Sequence, residues 1–241
     1  MYRKEMNERS PLRVFEKSLH GGLGRGNLGV VMSRAGIGKT AFLIGVALDD
    51  LMRDRKVLHV SLEDSVERVR DFYDAIFKEL STSIDLEDAA TARLLMERSR
   101  MIHSYRSGEL SVEKLCSSIE FLSCHAQFKP QVVIIDGVNF YNTSNEELAG
   151  IRDLAQDLDV EMWLSVRTHR TEPRRDPRGI AEQVVRFDAH ISVMVLLHDE
   201  EDGVVTIQLL KDHENQNLSD LHMKLDSTTL LLLAEEPPRL F

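Results

Sequence analysis

The chain has 241 residues and a formal net charge of −10, with 42% hydrophobic and 29% charged residues. This composition suits a folded globular protein of one large domain and excludes wholesale disorder, collagen and a coiled-coil rod. The longest apolar runs, 191–197 and 230–234, are far shorter than the about 18 residues that cross a bilayer, and the charged start MYRKEMNERSPLR holds no apolar leader, so no membrane role and a cytoplasmic location are expected.

Residues 1–17 read as an amino-terminal arm, either packed on a neighbour or frayed, and 18–241 as a single domain. Strand candidates follow at 29–33 (GVVMS), 57–62 (VLHVSL), 132–136 (VVIID), 162–166 (MWLSV) and 191–197 (ISVMVLL), with a weaker one at 101–105. These are nearly continuous apolar runs rather than alternating ones, the pattern of strands buried on both faces of a parallel sheet. Helical spacing appears at 40–54, 65–80, 86–98, 111–128 and 145–157, and the stretch 64–99 as a whole reads as helical. Alternating strands and helices predict an α/β fold: a mostly parallel, twisted sheet with helices on both faces. The segments 204–211, 222–225 and 229–233 predict antiparallel strands at the carboxyl-terminal edge. Two loops are expected, 139–145 and 168–179; the second, THRTEPRRDPRG, is charged and aperiodic and reads as mobile.

Charge is unevenly spread. Residues 1–60 hold 11 basic against 6 acidic side chains, and residues 199–241 hold 3 against 10. Such asymmetry can steer a phosphate ligand or a second copy of the chain. The two cysteines, Cys116 and Cys124, match neither a disulfide framework nor a zinc spacing.

The chemistry concentrates where the first strand ends. Ser33, Arg34, Ala35, Gly36, Ile37, Gly38, Lys39, Thr40 and Ala41 match G-x-x-x-x-G-K-[ST] except at the first position, where Ser replaces Gly. Two glycines let backbone N–H groups turn onto phosphate oxygens, and the helix start adds its positive dipole end. Lys39 supplies a point charge to the outer phosphates and Thr40 a hydroxyl to Mg²⁺. The upstream G-x-G-x-x-G at 24–29 precedes the strand instead of following it, which excludes a dinucleotide fingerprint. Asp136, ending the VVIID strand, is the expected second Mg²⁺ ligand, since ligands collect at the carboxyl ends of parallel strands. Glu63, just past the second strand, is expected to orient the attacking water if that strand lies beside the Asp136 strand. Asp64 is expected to cap the next helix.

Together these residues resemble the RecA-like P-loop ATPase superfamily, most closely its KaiC, RadA and replicative-helicase (DnaB-type) branches. The likeness runs from about Ser18 onward. Residues 19–27, LHGGLGRGN, resemble the family's glycine-rich lead into the first strand. Ser61-Leu-Glu63-Asp64-Ser65 resembles the helicase SLEMS segment, Val133-Ile-Ile-Asp136 the Walker B strand, and Ile180-Ala-Glu182-Gln183 with Phe187-Asp188-Ala189-His190 the SIEQDAD stretch. Lys211-Asp-His213-Glu-Asn215 resembles the K-x-R-x-G turn. The resemblance implies ATP and Mg²⁺ as ligands, ATP hydrolysis, and a ring or filament of identical chains with ATP between protomers. Lys211 would then be the cation a neighbour supplies. It also implies that the loops after the Asp136 strand and after the next strand face DNA. Arg167, Arg170, Arg174, Arg175 and Arg178 are candidates for DNA or neighbour contacts, and Phe140 and Tyr141 for base stacking. His213, standing where relatives carry Arg or Lys, and Arg167, near a helicase sensor Gln, depart from the pattern. Three readings stay open: an oligomeric ATP-driven regulatory switch, a DNA-acting motor, and a nucleotide-binding scaffold with little hydrolysis. The acidic net charge and the lack of an extra helicase domain favour the switch over the motor, with single-stranded DNA as a less favoured partner.

Overall fold

The computed structural model describes residues 2–19, 21–106, 108–168, 175–200, 204–215, 217–218 and 220–234. Its strands are β1 (Leu28–Ser33), β2 (Val57–Ser61), β3 (Arg100–Ser104), β4 (Val132–Val138), β5 (Glu161–Arg167), β6 (Val193–Asp199), β7 (Val204–Asp212), β8 (Met223–Asp226) and β9 (Leu232–Ala234). They form one sheet in the order β3-β2-β4-β5-β1-β6-β7-β8-β9. The six from β3 to β6 run parallel, and β7, β8 and β9 continue antiparallel. The expected α/β class and antiparallel edge are therefore both present.

The helices are α1 (Arg3–Arg9), α2 (Leu12–Ser18), α3 (Lys39–Met52), α4 (Val66–Ser83), α5 (Ala89–Ser99), α6 (Val112–His125), α7 (Asn145–Leu158) and the short α8 (Glu182–Val185), followed by a 3₁₀ turn at Asp188–His190. Period-2 alternation divides the central strands between two apolar layers. Val31, Ile134, Trp163 and Val195 face one layer with α1 to α5. Val30, Met32, Ile135, Leu164 and Met194 face the other with α6, α7 and α8. Because α3 leaves β1 toward one face and α7 leaves β4 toward the other, the carboxyl edge between them opens as a crevice.

Two features differ from the sequence expectation. Residues set apart as an arm form α1 and α2, which lie on the core of their own chain. Met6, Leu12 and Phe15 are buried, and Phe15 meets Phe42 and Trp163 with ring centroids 5.9 Å apart in each pair. Ion pairs pin this pair of helices to the end of α3: Arg3 to Asp54 at 2.8 Å and Arg13 to Asp49. The cap of α4 is Ser65, whose hydroxyl accepts the Arg68 amide, and not Asp64, which pairs with the Arg68 side chain instead.

α3 is buried almost all round because the carboxyl-terminal strands fold over it. A Cβ on Gly38 would stand 2.4 Å from Leu225 in β8, and one on Gly45 2.7 Å from Leu232 in β9. Among the described residues no helix is long and apolar enough to cross a membrane.

Candidate nucleotide site

β1 ends in a turn at which two residues take a left-handed backbone, Gly36 at φ +78 and Gly38 at φ +118. A side chain at Gly36 would point into open space, so only the backbone demands glycine there. At Gly38 the Leu225 contact demands it as well. Ser33, the departure from the phosphate-loop pattern, is the last residue of β1, paired with Arg167 and free of positive φ, so serine fits without strain. Gly38 offers no side chain to cap α3, which leaves the first-turn N–H groups facing the loop.

The Lys39 ammonium arches back over this loop, 3.2 Å from the Arg34 carbonyl and 3.5 Å from the Ser33 carbonyl and hydroxyl. Burial lowers its pKa; Asp136 and Glu63 oppose that shift, and Arg167 adds to it. The next residue, Thr40, donates its hydroxyl to Asp136 Oδ2 at 2.7 Å. The Ser165 hydroxyl donates to Asp136 Oδ1 and accepts the Gly137 amide at 2.8 Å. Thus the carboxylate at the end of the apolar part of β4 is held by two hydroxyls, one from α3 and one from β5.

A hydroxyl and a carboxylate oxygen within hydrogen-bond reach, beside a cradle built for phosphates, form a donor set that fits Mg²⁺. That ion takes one or two protein oxygens and fills its octahedron with phosphate and water.

β2 lies directly beside β4 with Ser61 opposite Asp136, and the Leu62 amide donates to the Asp136 carbonyl at 2.9 Å. This brings Glu63 to the same edge. Its side chain lies over Gly137, where an added Cβ would be 2.6 Å from Glu63 Cγ and 3.1 Å from Cδ. Gly137 itself has φ +94.

No family model matches the chain. Over 181 residues it is 25% identical to the DnaB-like replicative helicase of Enterobacteria phage T4, a match that takes in 65% of this chain and 38% of the helicase. The chain thus spans well under half the length of that curated relative. The solved ATPase domain of a DnaB-like helicase superposes with a TM-score of 0.66 and 16% identity, covering 90% of this chain and 87% of that one. The fold is that of a RecA-like P-loop ATPase core.

Within this RecA-like core the remaining sequence candidates divide. Arg167 ends β5 opposite Ser33, exposed and near enough to Lys39 to affect its charge. Lys211 sits at the far, amino end of the sheet, level with Met194 near the start of β6. Its ammonium donates to the Asp188 carbonyl at 2.5 Å and lies 3.2 Å from that residue's carboxylate. Arg178 grips the same carboxylate with both terminal nitrogens, at 3.2 and 3.1 Å, and also holds Asp176 at 2.7 Å. Burial works against a charged Asp188, but Arg178 and Lys211 outweigh it and keep the carboxyl below its ordinary pKa. Arg175 donates to the Gly179 carbonyl at 3.0 Å. Arg170 and Arg174 lie outside the described residues, as does most of the loop expected at 168–179.

Three expectations need correction. Phe140 is not available to stack a base: it is fully buried, edge-on to Phe187 at 4.9 Å. Tyr141 is half exposed. Arg186 is spent on the same loop, donating to the Phe140 and Thr143 carbonyls. His213 turns inward, with Nδ1 2.8 Å from Asp212 and Nε2 3.0 Å from the Leu23 carbonyl, so it braces the glycine-rich segment before β1.

Sequence reasoning missed Ser165 and His59. Each is a polar residue inside an otherwise apolar strand run, and that interruption was the available signal. His59 is fully buried, its Nδ1 3.1 Å from the Tyr73 hydroxyl and its Nε2 4.0 Å from Asp136 Oδ2. Burial lowers its pKa to about 4; Asp136 opposes the shift and Arg100 adds to it.

Proposed function

We propose that the chain is a Mg²⁺-dependent ATPase core that works as a homo-oligomer and acts on single-stranded DNA as a motor. The observation that carries the ATPase reading is the Thr40–Asp136 hydrogen bond beside Lys39 and the glycine turn, with Glu63 on the same edge. The first-turn amides of α3 and Lys39 bind the β- and γ-phosphates of ATP. Thr40 and Asp136 would hold Mg²⁺, which offsets charge on those phosphates. Glu63 orients a water in line with the γ-phosphate and takes its proton as the bond forms, and ADP leaves with its oxygen charge spread over the cradle. Arg167 faces the γ-phosphate from β5.

Lys211 is too far from its own phosphate loop to serve it, since it lies at the opposite end of the sheet. That position suits a cation delivered to a neighbour's ATP, which requires it to let go of Asp188. A finger of this kind contributes about 10³–10⁵ in rate where measured. The likeness to a DnaB-like replicative helicase supports the motor over the regulatory switch that charge alone favoured. One observation keeps the switch as a second reading: Arg175 and Arg178 are engaged within the chain.

The test is ATP turnover at low salt, with and without single-stranded DNA, for the wild type and Glu63→Gln. The expected result is turnover stimulated by DNA and strongly reduced in the variant, with ATP binding kept. DNA affinity should fall by about 0.7 log units per log unit of salt for each phosphate contacted. Turnover indifferent to DNA would replace the motor by the switch. ATP bound but never turned over would overturn the ATPase reading.

A further inference from the structure

A hydrogen-bonded relay runs from the floor of the sheet to the Asp136 carboxylate, and one link in it is open. Arg100 in β3 lies over the Tyr73 ring, 4.6 Å from its centroid. The Tyr73 hydroxyl meets His59 Nδ1 at 3.1 Å, and His59 Nε2 stands 4.0 Å from Asp136 Oδ2. His59 and Tyr73 are both fully buried, and His59 Nε2 has no hydrogen-bond partner among the described residues. A buried polar atom without a partner is costly and calls for an explanation.

The tautomer follows from what each nitrogen faces. A bare Nε2 would set its lone pair against a carboxylate oxygen, which is repulsive. With the Tyr73 hydroxyl donating to Nδ1, the ring proton sits on Nε2 and points at Oδ2. That proton is about 1 Å too far to make a good bond while the Thr40 hydroxyl occupies the same oxygen. Oδ1 is already taken by Ser165, so only Oδ2 has a choice of partners.

We propose that His59 is a positioning residue for Asp136: its Nε2–H takes over the carboxylate oxygen that Thr40 releases when both turn to the metal. The inference rests on the reading of Thr40 and Asp136 as the Mg²⁺-holding pair. His59 touches neither nucleotide nor metal; it fixes the orientation of a group that does, as the outer partners of metal ligands do. β2 is otherwise an apolar run, and a polar ring at this one position is what such a role requires.

The experiment measures the affinity of a fluorescent ADP analogue with Mg²⁺ and with chelator, and takes the ratio as the Mg²⁺-dependent gain. His59→Asn puts an amide at the Nδ1 position, keeps the Tyr73 bond and deletes the donor to Asp136. It should lose about tenfold of the gain, the scale of one hydrogen bond to a charged group, while metal-free affinity stays at the wild-type value. His59→Gln reaches the Nε2 position and should restore most of the gain, a rescue that general loosening of the core would not produce. Asp136→Asn should lose the whole gain. If His59→Asn keeps the gain while Asp136→Asn loses it, the role of His59 is overturned. If Asp136→Asn also keeps the gain, the metal reading falls and His59 falls with it. Should His59→Asn fail to fold, as judged by metal-free binding, loss of the gain in His59→Gln overturns the proposal.

Discussion

Replacing Gly137 by Ala separates the position of Glu63 from its chemistry. Gly137 follows Asp136 with φ +94, and its missing side chain is the space that Glu63 occupies. A left-handed backbone costs an L-residue about 1–2 kcal/mol. For a chain of this size that corresponds to a melting midpoint about 2–8 °C lower. The new methyl would stand 2.6 Å from Glu63 Cγ, roughly 0.8 Å inside ordinary van der Waals contact, so the side chain must retreat by about that distance. Misplacing a catalytic group by about 1 Å can cost on the order of 10²-fold in rate. Gly137→Ala is therefore expected to bind ATP with near wild-type affinity and to turn it over tens to a hundred times more slowly. The assay is steady-state phosphate release alongside nucleotide binding and thermal melting. The double variant Gly137→Ala, Glu63→Gln should be no slower than Glu63→Gln alone, because the methyl acts only through a carboxylate that is already gone. Gly137→Ala turning over within about threefold of wild type would refute the placement of Glu63. A double variant far slower than Glu63→Gln would show that the methyl acts elsewhere, for instance through the Ser165–Gly137 hydrogen bond.

Two further outcomes follow from the same geometry. Lys39→Ala should lose ATP affinity by about a hundredfold, in the range of a charged hydrogen bond removed from a desolvated site; fluorescence titration giving intact affinity would remove the phosphate loop from its role. Asp50 lies buried between Arg55 at 2.7 Å and the core, and burial raises its carboxyl from 3.8 to about 7, with Arg55 opposing and Glu161 adding. The folded chain therefore keeps a proton between about pH 4 and 7 that the unfolded chain has lost. Its contribution to stability is full below about pH 4 and declines as pH rises through 7. Asp50→Asn cannot ionise and should flatten the drop in melting midpoint between pH 5 and pH 8; an unchanged drop would count against the raised pKa.

The parts of the site legible in the sequence are those whose chemistry is written in local spacing. Gly36, Gly38, Lys39 and Thr40 lie within five consecutive residues, and Asp136 closes an apolar run, so neither needed tertiary knowledge. The strand order that brings Glu63 over Gly137 could be stated only as a condition, because pairing of β2 with β4 joins segments more than 70 residues apart. The arginines show the opposite case. Their clustering is visible in the sequence, but Arg178 and Lys211 meet on Asp188 from positions 10 and 23 residues away, which charge counting cannot foresee. Phe140 misled for a related reason: an aromatic in a loop looks available until Phe187, distant in sequence, covers it. The helices α1 and α2 have seven residues each, too short to be stable alone, and owe their form to the face they pack on.

Trp163 is the chain's single tryptophan. It is buried where three parts of the molecule converge: Gly29 of the strand leading to the phosphate loop, Phe42 on the helix leaving it, and Phe15 on α2. An indole in such a place is a built-in optical gauge. Lifting α2 away would wet one side of the ring and shift its emission to the red, whereas local rearrangement of the glycine turn would leave the colour alone. Unlabelled protein can therefore announce whether its first eighteen residues stay seated as nucleotide, DNA or a second copy of the chain is added.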